Sequence, residues 1–217
     1  MPTRLVDWLE FVQIRPRGPV IGPLVMCAAT IDEKDIHKLE AIGVKDSKKL
    51  TPKKREELYP QIKEIVKDYK ILIVEASEID EALNSPNLNL NWLEAIKTAI
   101  ILNDLKPDKA IVDCPSTNIE AYKSYLGQLL TVKMELLLEH DAERYLPVAA
   151  ASILAKVTRD NRIEDMKKKY GDFGSGYPSD PKTKAFLDKN WDKHKEIFRT
   201  SWSSYKKKAN QTTLNEF

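Results

Sequence analysis

Apolar positions in this chain fall into short runs and helical stripes that alternate along its length. Residues 20–30, VIGPLVMCAAT, carry almost no polar side chain, the pattern of a strand buried on both faces. Ahead of them, Pro16-Arg17-Gly18-Pro19 joins a glycine that reaches backbone angles other residues avoid to a proline that fixes the next step. Alone this is a hairpin corner, although such a turn can also present peptide groups to a ligand beside an arginine. A short charged helix is expected over 33–42. The next begins after Thr51, a good N-cap, with Pro52 at its first position. Leu58, Ile62, Ile65 and Val66 share one face, and Pro60 is expected to kink or break the helix. Residues 71–75 read as a strand. A helix over 91–105 is expected to turn Trp92, Ile96, Ala99 and Ile100 inward, and the strand AIVDC (110–114) follows it. That order implies a βαβ crossover and parallel pairing. A helix over 119–130, a strand over 131–138 and a long helix over 149–170 continue the alternation. Beyond Gly171 come a Gly/Pro-rich loop, two short helical pieces and a polar tail. The pattern predicts an α/β domain over 1–168, a small helical cap over 169–205 and a flexible tail over 206–217.

Composition narrows this only slightly. A chain of 217 residues can bury a real core. Its 35 Lys and Arg nearly balance 33 Asp and Glu, so any basic surface for nucleic acid must be local. Cys27 and Cys114 lie in apolar strand contexts without metal-ligand spacing and read as buried thiols of a reducing compartment. No apolar run approaches the roughly 20 residues of a membrane span. The opening MPTRLVDWLEFV has no secretory core, so a cytoplasmic location is expected.

Candidate chemistry rests on acids and basic loops. Asp113 ends an apolar parallel strand, where ligands bind in α/β folds, but it is equally placed to cap the helix that follows. His140, Asp141 and Glu143 form a second polar group, alone more often a solvated loop than a site. The loop Lys45-Asp46-Ser47-Lys48-Lys49 suits phosphate contacts, though charge runs are usually just solvated. Tyr177, held between Gly176 and Pro178, can stack on a base or sugar or can pin the cap to the core. There is no Ser/His/Asp order, no phosphate loop of the P-loop kind and no Cys/His metal spacing. Phosphodiester chemistry with oxygen-ligated Mg²⁺ or Mn²⁺ is the reading that remains, and it needs several converging carboxylates.

Five stretches taken together resemble ribonuclease HII of the archaeal type: RGPVIGP (17–23), KDSKKLT (45–51), VDCPSTN (112–118), AASILAKVTRD (150–160) and GSGYPSDPKT (174–183). Their order and spacing hold from Arg17 to Trp202. The resemblance implies a ribonuclease H-like mixed sheet flanked by helices with a C-terminal helical cap. It implies metal-dependent cutting of RNA paired with DNA, and cutting on the 5′ side of a ribonucleotide in duplex DNA. By the same resemblance the turn at Arg17 and Gly18 reads the 2′-hydroxyl through its backbone, and Tyr177 stacks on the sugar at the RNA–DNA junction. Lys48, Lys156 and Arg159 meet phosphates. Asp113, Asp141 and Glu143 are the candidates for catalysis and for the two-metal site.

The departures fall on the acids. The first motif of the family is Asp-Glu-Ala-Gly-Arg-Gly-Pro; aligned on Arg17-Gly18-Pro19, this chain has Gln13 and Ile14 at the acid positions and Pro16 at the first glycine. Asp7 and Glu10 lie too far upstream to substitute without a shift of the strand. The last acid of the family falls on Ala142, between Asp141 and Glu143, or is deleted just before Glu143. Two readings follow: a hybrid-cutting nuclease, and an impaired module that binds hybrid junctions without cutting. The end of the chain, Gln211-Thr212-Thr213-Leu214-Asn215-Glu216-Phe217, resembles a sliding-clamp-binding box in which Gln211, Leu214 and Phe217 make the contacts, the second aromatic being absent. A monomer is expected.

Overall fold

The structure is a computed structural model that describes residues 18–211 in full and the backbone of 9–15 and 212–214. Five strands form one mixed sheet in the order β3-β2-β1-β4-β5. Strand β1 (Leu9–Arg15) runs antiparallel to β2 (Leu24–Ile31), and the short helix α1 (Ile36–Ala41) follows. Helix α2 (Pro52–Ile65) leads to the edge strand β3 (Asp68–Val74), then α3 (Ala76–Asn84) and α4 (Leu90–Leu105). Strand β4 (Lys109–Asp113) pairs in parallel with β1 on one side and, beyond α5 (Ile119–Leu129), with β5 (Glu135–Glu139) on the other. Strand β4 is thus paired in parallel as expected, but with β1 and β5 and not with β3, the strand before its preceding helices. Helices α6 (Leu146–Tyr170), α7 (Pro181–Asn190) and α8 (Ser203–Leu214) complete the order. The α/β class with a mixed sheet flanked by helices, as read from the sequence, stands. No helix among the described residues is long and apolar enough to cross a membrane.

The chain divides into two compact units. Among the described residues the first takes in 9–15, 25–72 and 91–157, and the second 18–24, 73–90 and 158–214. In the first, Val25, Cys27, Ala29 and Ile31 alternate along β2 onto one face and pack with Leu58 and Ile62 and with the apolar first half of α6. Full burial of each large aliphatic side chain contributes about 1.5–3 kcal/mol. In the second, Val20, Ile21, Ile163, Phe173, Leu187, Ile197, Phe198 and Tyr205 form a separate core.

Several local expectations change. The apolar run of 20–30 is not one strand. Gly22 sits at φ +90° and Pro23 follows, so β2 starts at Leu24, while Ile21 makes a single antiparallel bridge to Phe198. Helix α2 continues through Pro60, because fully buried Leu58 and Ile62 hold it on both sides of the one missing N–H donor. In α4 the buried residues are Leu93, Glu94, Ala95, Thr98, Ala99, Ile101 and Leu102, whereas Ile100 is 45% exposed. Its polar residues, among them Asn91, Glu94, Lys97, Thr98 and Asn103, are scattered around the helix, so periodicity could not choose its face. Residues 131–134 lie outside β5, and α3 was not foreseen. Lys206–Lys208, expected in a tail, are helical in α8, where Tyr205 is buried with its hydroxyl donating to the Trp191 carbonyl at 2.8 Å.

Candidate active site

Asp113 ends β4, and its Oδ1 accepts the Ala142 N–H at 3.0 Å. It does not cap the next helix: Asn118 does, accepting the Ala121 N–H at 3.0 Å. Beside it the polar group of residues 140–143 is split three ways. His140 Nδ1 lies 3.0 Å from the Cys114 carbonyl oxygen. Asp141 takes a left-handed backbone conformation, and its side chain is 90% exposed, 3.8 Å from Lys48 Nζ. Glu143 points the other way and is 4% exposed.

One carboxylate oxygen of buried Glu143 is held by two hydrogen bonds. Its Oε2 accepts the Ser47 N–H at 3.0 Å and the Ser47 hydroxyl at 2.6 Å. Ser47 Oγ in turn accepts from Lys156 Nζ at 2.6 Å and lies 2.8 Å from Ser152 Oγ. Asp46 fixes the start of this loop by accepting the Lys48 N–H at 3.0 Å. Removing one partner of such a buried charged group strands the others. Glu143→Ala is therefore expected to destabilise the protein by about 3–5 kcal/mol in a denaturant titration, whereas exposed Asp141→Asn leaves the midpoint unmoved. Equal midpoints for the two variants would contradict this assignment. Lys156 is drawn into the same network, whereas the Lys48 side chain is half-exposed beside Asp141.

Metal ligation can be tested on the donors in place. Among the described residues no three His, Cys, Asp or Glu side chains stand together so as to hold a metal ion. Asp113, Asp141 and Glu143 thus do not make a divalent-ion cage from their own carboxylates, with Glu143 engaged by Ser47 and Asp141 facing solvent. The side chains of Gln13 and Ile14 lie outside the described residues. In the backbone, β1 pairs with β4 as far as Val12 opposite Val112, so Gln13 and Asp113 are the next residues along the two strands.

The second unit carries Gly18, Arg159 and Tyr177. A Cβ at Gly18 would lie 3.2 Å from the Tyr177 ring, so any other residue here would push the ring back by a few tenths of an ångström. Tyr177 is half-buried, with the Arg159 guanidinium 5.5 Å from its ring centroid. Arg159 is buried and donates to the Ser175 carbonyl at 2.9 Å, so it holds this loop rather than standing open to a phosphate. Gly176 donates its N–H to Thr183 Oγ1 at 3.0 Å and accepts the N–H groups of Val20 and Ile21 at 2.8 and 3.2 Å. Asp180 caps α7 and also accepts the Ser175 N–H at 2.7 Å. Hydrogen bonds from Ser175 first, then from the Lys182 N–H, hold its carboxyl below the ordinary value.

Of the remaining candidates, Arg17 and Phe217 lie outside the described residues. Gln211 is exposed in α8, and Leu214 is the last residue of that helix. Sequence reasoning missed Ser47, Ser152, Thr183, Asp80 and Arg199 as structural partners. For Ser152 a signal was available: a hydroxyl inside the apolar stretch of 148–155 needs a partner once buried.

Residues 16–205 match the family profile described as Ribonuclease HII. The chain is similar to Ribonuclease HII of Pyrococcus furiosus, 45% identical over 214 residues that cover 93% of this chain and 94% of that protein. Ribonuclease HII of Pyrococcus horikoshii is 45% identical over 212 residues, with the same coverage of 93% and 94%. Among solved structures, ribonuclease H2 from Pyrococcus horikoshii OT3 superposes with a TM-score of 0.86 at 42% identity, over 95% of this chain and 99% of that one. A PCNA:RNase HII complex from Archaeoglobus fulgidus gives a TM-score of 0.79 at 38% identity, over 90% of this chain and 95% of that one.

Proposed function

Because the chain belongs to the ribonuclease HII family, we propose that it is an endoribonuclease directed at RNA paired with DNA, cutting on the 5′ side of a ribonucleotide embedded in duplex DNA. The observation that carries this reading is the approach of Gly18 to the Tyr177 ring. A turn free of side chain beside an aromatic ring can accept a sugar and sense its 2′-hydroxyl through peptide groups, while the ring covers the sugar face. Arg17 belongs to the same turn in sequence. Lys48, half-exposed, is the cation we assign to a backbone phosphate. Asp113, fixed by the Ala142 N–H, is the carboxylate we assign to the reacting phosphodiester. Mg²⁺ or Mn²⁺ would supply charge stabilisation there, but the described carboxylates do not by themselves fit such an ion. Weak cutting is the consequence.

The cellular role we infer is ribonucleotide removal during replication and repair, by a cytoplasmic monomer. Ribonuclease HII of Archaeoglobus fulgidus has been solved in complex with PCNA. We propose the same kind of partner here, a sliding clamp gripping Gln211, Leu214 and Phe217.

One experiment tests the activity. The chain is incubated with a duplex containing a single ribonucleotide, in Mg²⁺ or in Mn²⁺, and products are resolved on a denaturing gel. Slow cutting 5′ to the ribonucleotide is expected, and Asp113→Asn should abolish it. Tight binding of that duplex without product in either metal would overturn the nuclease and leave the binding module.

A further inference from the structure

An arginine at 0% exposure needs an account, because a buried cation is costly unless its donors are satisfied. Arg199 meets that need with backbone. Its Nε donates to the Gly22 carbonyl at 2.9 Å and a terminal nitrogen to the Pro23 carbonyl at 2.8 Å. The main chain adds two bonds: the Arg199 N–H to the Val20 carbonyl at 2.8 Å, and the Gly22 N–H to the Ile197 carbonyl at 2.9 Å. The guanidinium also lies 5.0 Å from the centre of the Trp202 ring. Residues 20–23 are thus fastened on one side by 197–199 and on the other by the carbonyl of Gly176.

The next two residues after Arg199 are tied down separately. Buried Asp80 accepts the Thr200 N–H and hydroxyl at 2.6 and 2.7 Å on one oxygen, and the Ser201 N–H and hydroxyl at 2.9 and 2.5 Å on the other. Four donors on one carboxylate leave the 199–201 turn little freedom. The chain of constraint runs from Asp80 to that turn, from Arg199 to residues 20–23, and from there to Gly18. At Gly18 the backbone stands against Tyr177, the neighbour of Gly176.

We propose that Arg199, braced by Asp80, is a positioning residue for ribose recognition: it sets the approach of the Gly18 turn to Tyr177 without touching the substrate. This rests on the reading of Gly18 and Tyr177 as the ribose-reading pair. The planar guanidinium is what allows one side chain to serve two adjacent carbonyls. A lysine keeps the charge but offers a point donor, and cannot hold both in that geometry.

The test measures affinity of the full chain, in EDTA so that nothing is cut, for two duplexes identical except for one ribonucleotide. Arg199→Lys should lower the ribo-to-deoxy affinity ratio on the order of tenfold. Affinity for the all-DNA duplex, and its salt dependence, should stay within about twofold, since that binding is set by phosphate contacts elsewhere. Asp80→Asn should shift the ratio in the same direction by less. A merely structural role predicts a lowered melting temperature with both affinities falling by one factor, and that result would falsify the proposal. An unchanged ratio in folded Arg199→Lys would do the same. If Arg199→Lys does not fold, Asp80→Asn decides, and an unchanged ratio there overturns it. A wild-type ratio near one would instead overturn the ribose-reading assignment of Gly18 and Tyr177 on which this stands.

Discussion

Placing Gln13→Asp and Ile14→Glu together in this chain is expected to raise cutting at an embedded ribonucleotide by about a hundredfold or more. The two positions are where the family carries paired acids, and a neutral amide and an apolar side chain supply neither charge nor strong oxygen donors for a hard cation. The backbone favours the repair. Strand β1 runs parallel to β4 up to Val12 opposite Val112, which brings Gln13 level with the strand end that carries Asp113. Ala142 is left alone, since it is fully buried and its N–H already serves Asp113, so an acid there would bury an unpaired charge. Initial rates in Mg²⁺ and Mn²⁺ give the readout, with calorimetric titration of Mn²⁺ into both proteins beside them. A restored chain that binds Mn²⁺ no more tightly and cuts no faster would show that the alignment at Arg17-Gly18-Pro19 misplaces the acids.

A methyl group at Gly176 should be strongly damaging to the second unit. Gly176 sits at φ +82°, and a Cβ there would lie 2.8 Å from the Ile21 carbonyl oxygen. That oxygen cannot easily withdraw, because the Ile21 and Val20 N–H groups are bonded to Gly176 itself. Left-handed backbone and the backbone clash together point to a cost of about 2–5 kcal/mol for Gly176→Ala. Gly43→Ala is the control: φ is +86°, but nothing lies within 4 Å of the added carbon. It carries only the conformational part, about 1–2 kcal/mol. Thermal unfolding of the two variants separates the contributions, and Gly176→Ala should also lose its preference for a ribonucleotide-containing duplex. Equal melting temperatures would mean the loop relaxes around the new methyl.

Much of this arrangement could be read in advance, and the failures have particular causes. Thr51-Pro52 marked the start of α2 because capping is a local matter of one hydroxyl and one missing N–H. The parallel character of AIVDC was visible because it follows a helix, but its partners, β1 and β5 and not the preceding β3, were not. The inward face of α4 was not visible, since Leu93, Ile96, Ile100 and Ile101 give the helix no polar side by which to orient it. Asp113 kept two readings until Asn118 was seen to hold the cap. Glu143 and Ser47 are 96 residues apart, and the acid that looked like part of an exposed triplet proved to be the buried end of a hydrogen-bonded network.

By itself the sequence determined the alternation of strands and helices, though not β1 or α3, the five motifs and the absence of paired acids beside Arg17-Gly18-Pro19, because these depend on side-chain type and spacing along the chain. Only the tertiary structure decided which polar groups are buried and on what they lean. Glu143 turned to Ser47, Arg159 to the Ser175 carbonyl, and Arg199 to Gly22 and Pro23, each donor or acceptor finding its partner across the fold. The physical reason is that desolvation is set by packing, not by neighbours in the chain. A charged residue is the same letter in solvent or in a core, and only burial makes its partners obligatory.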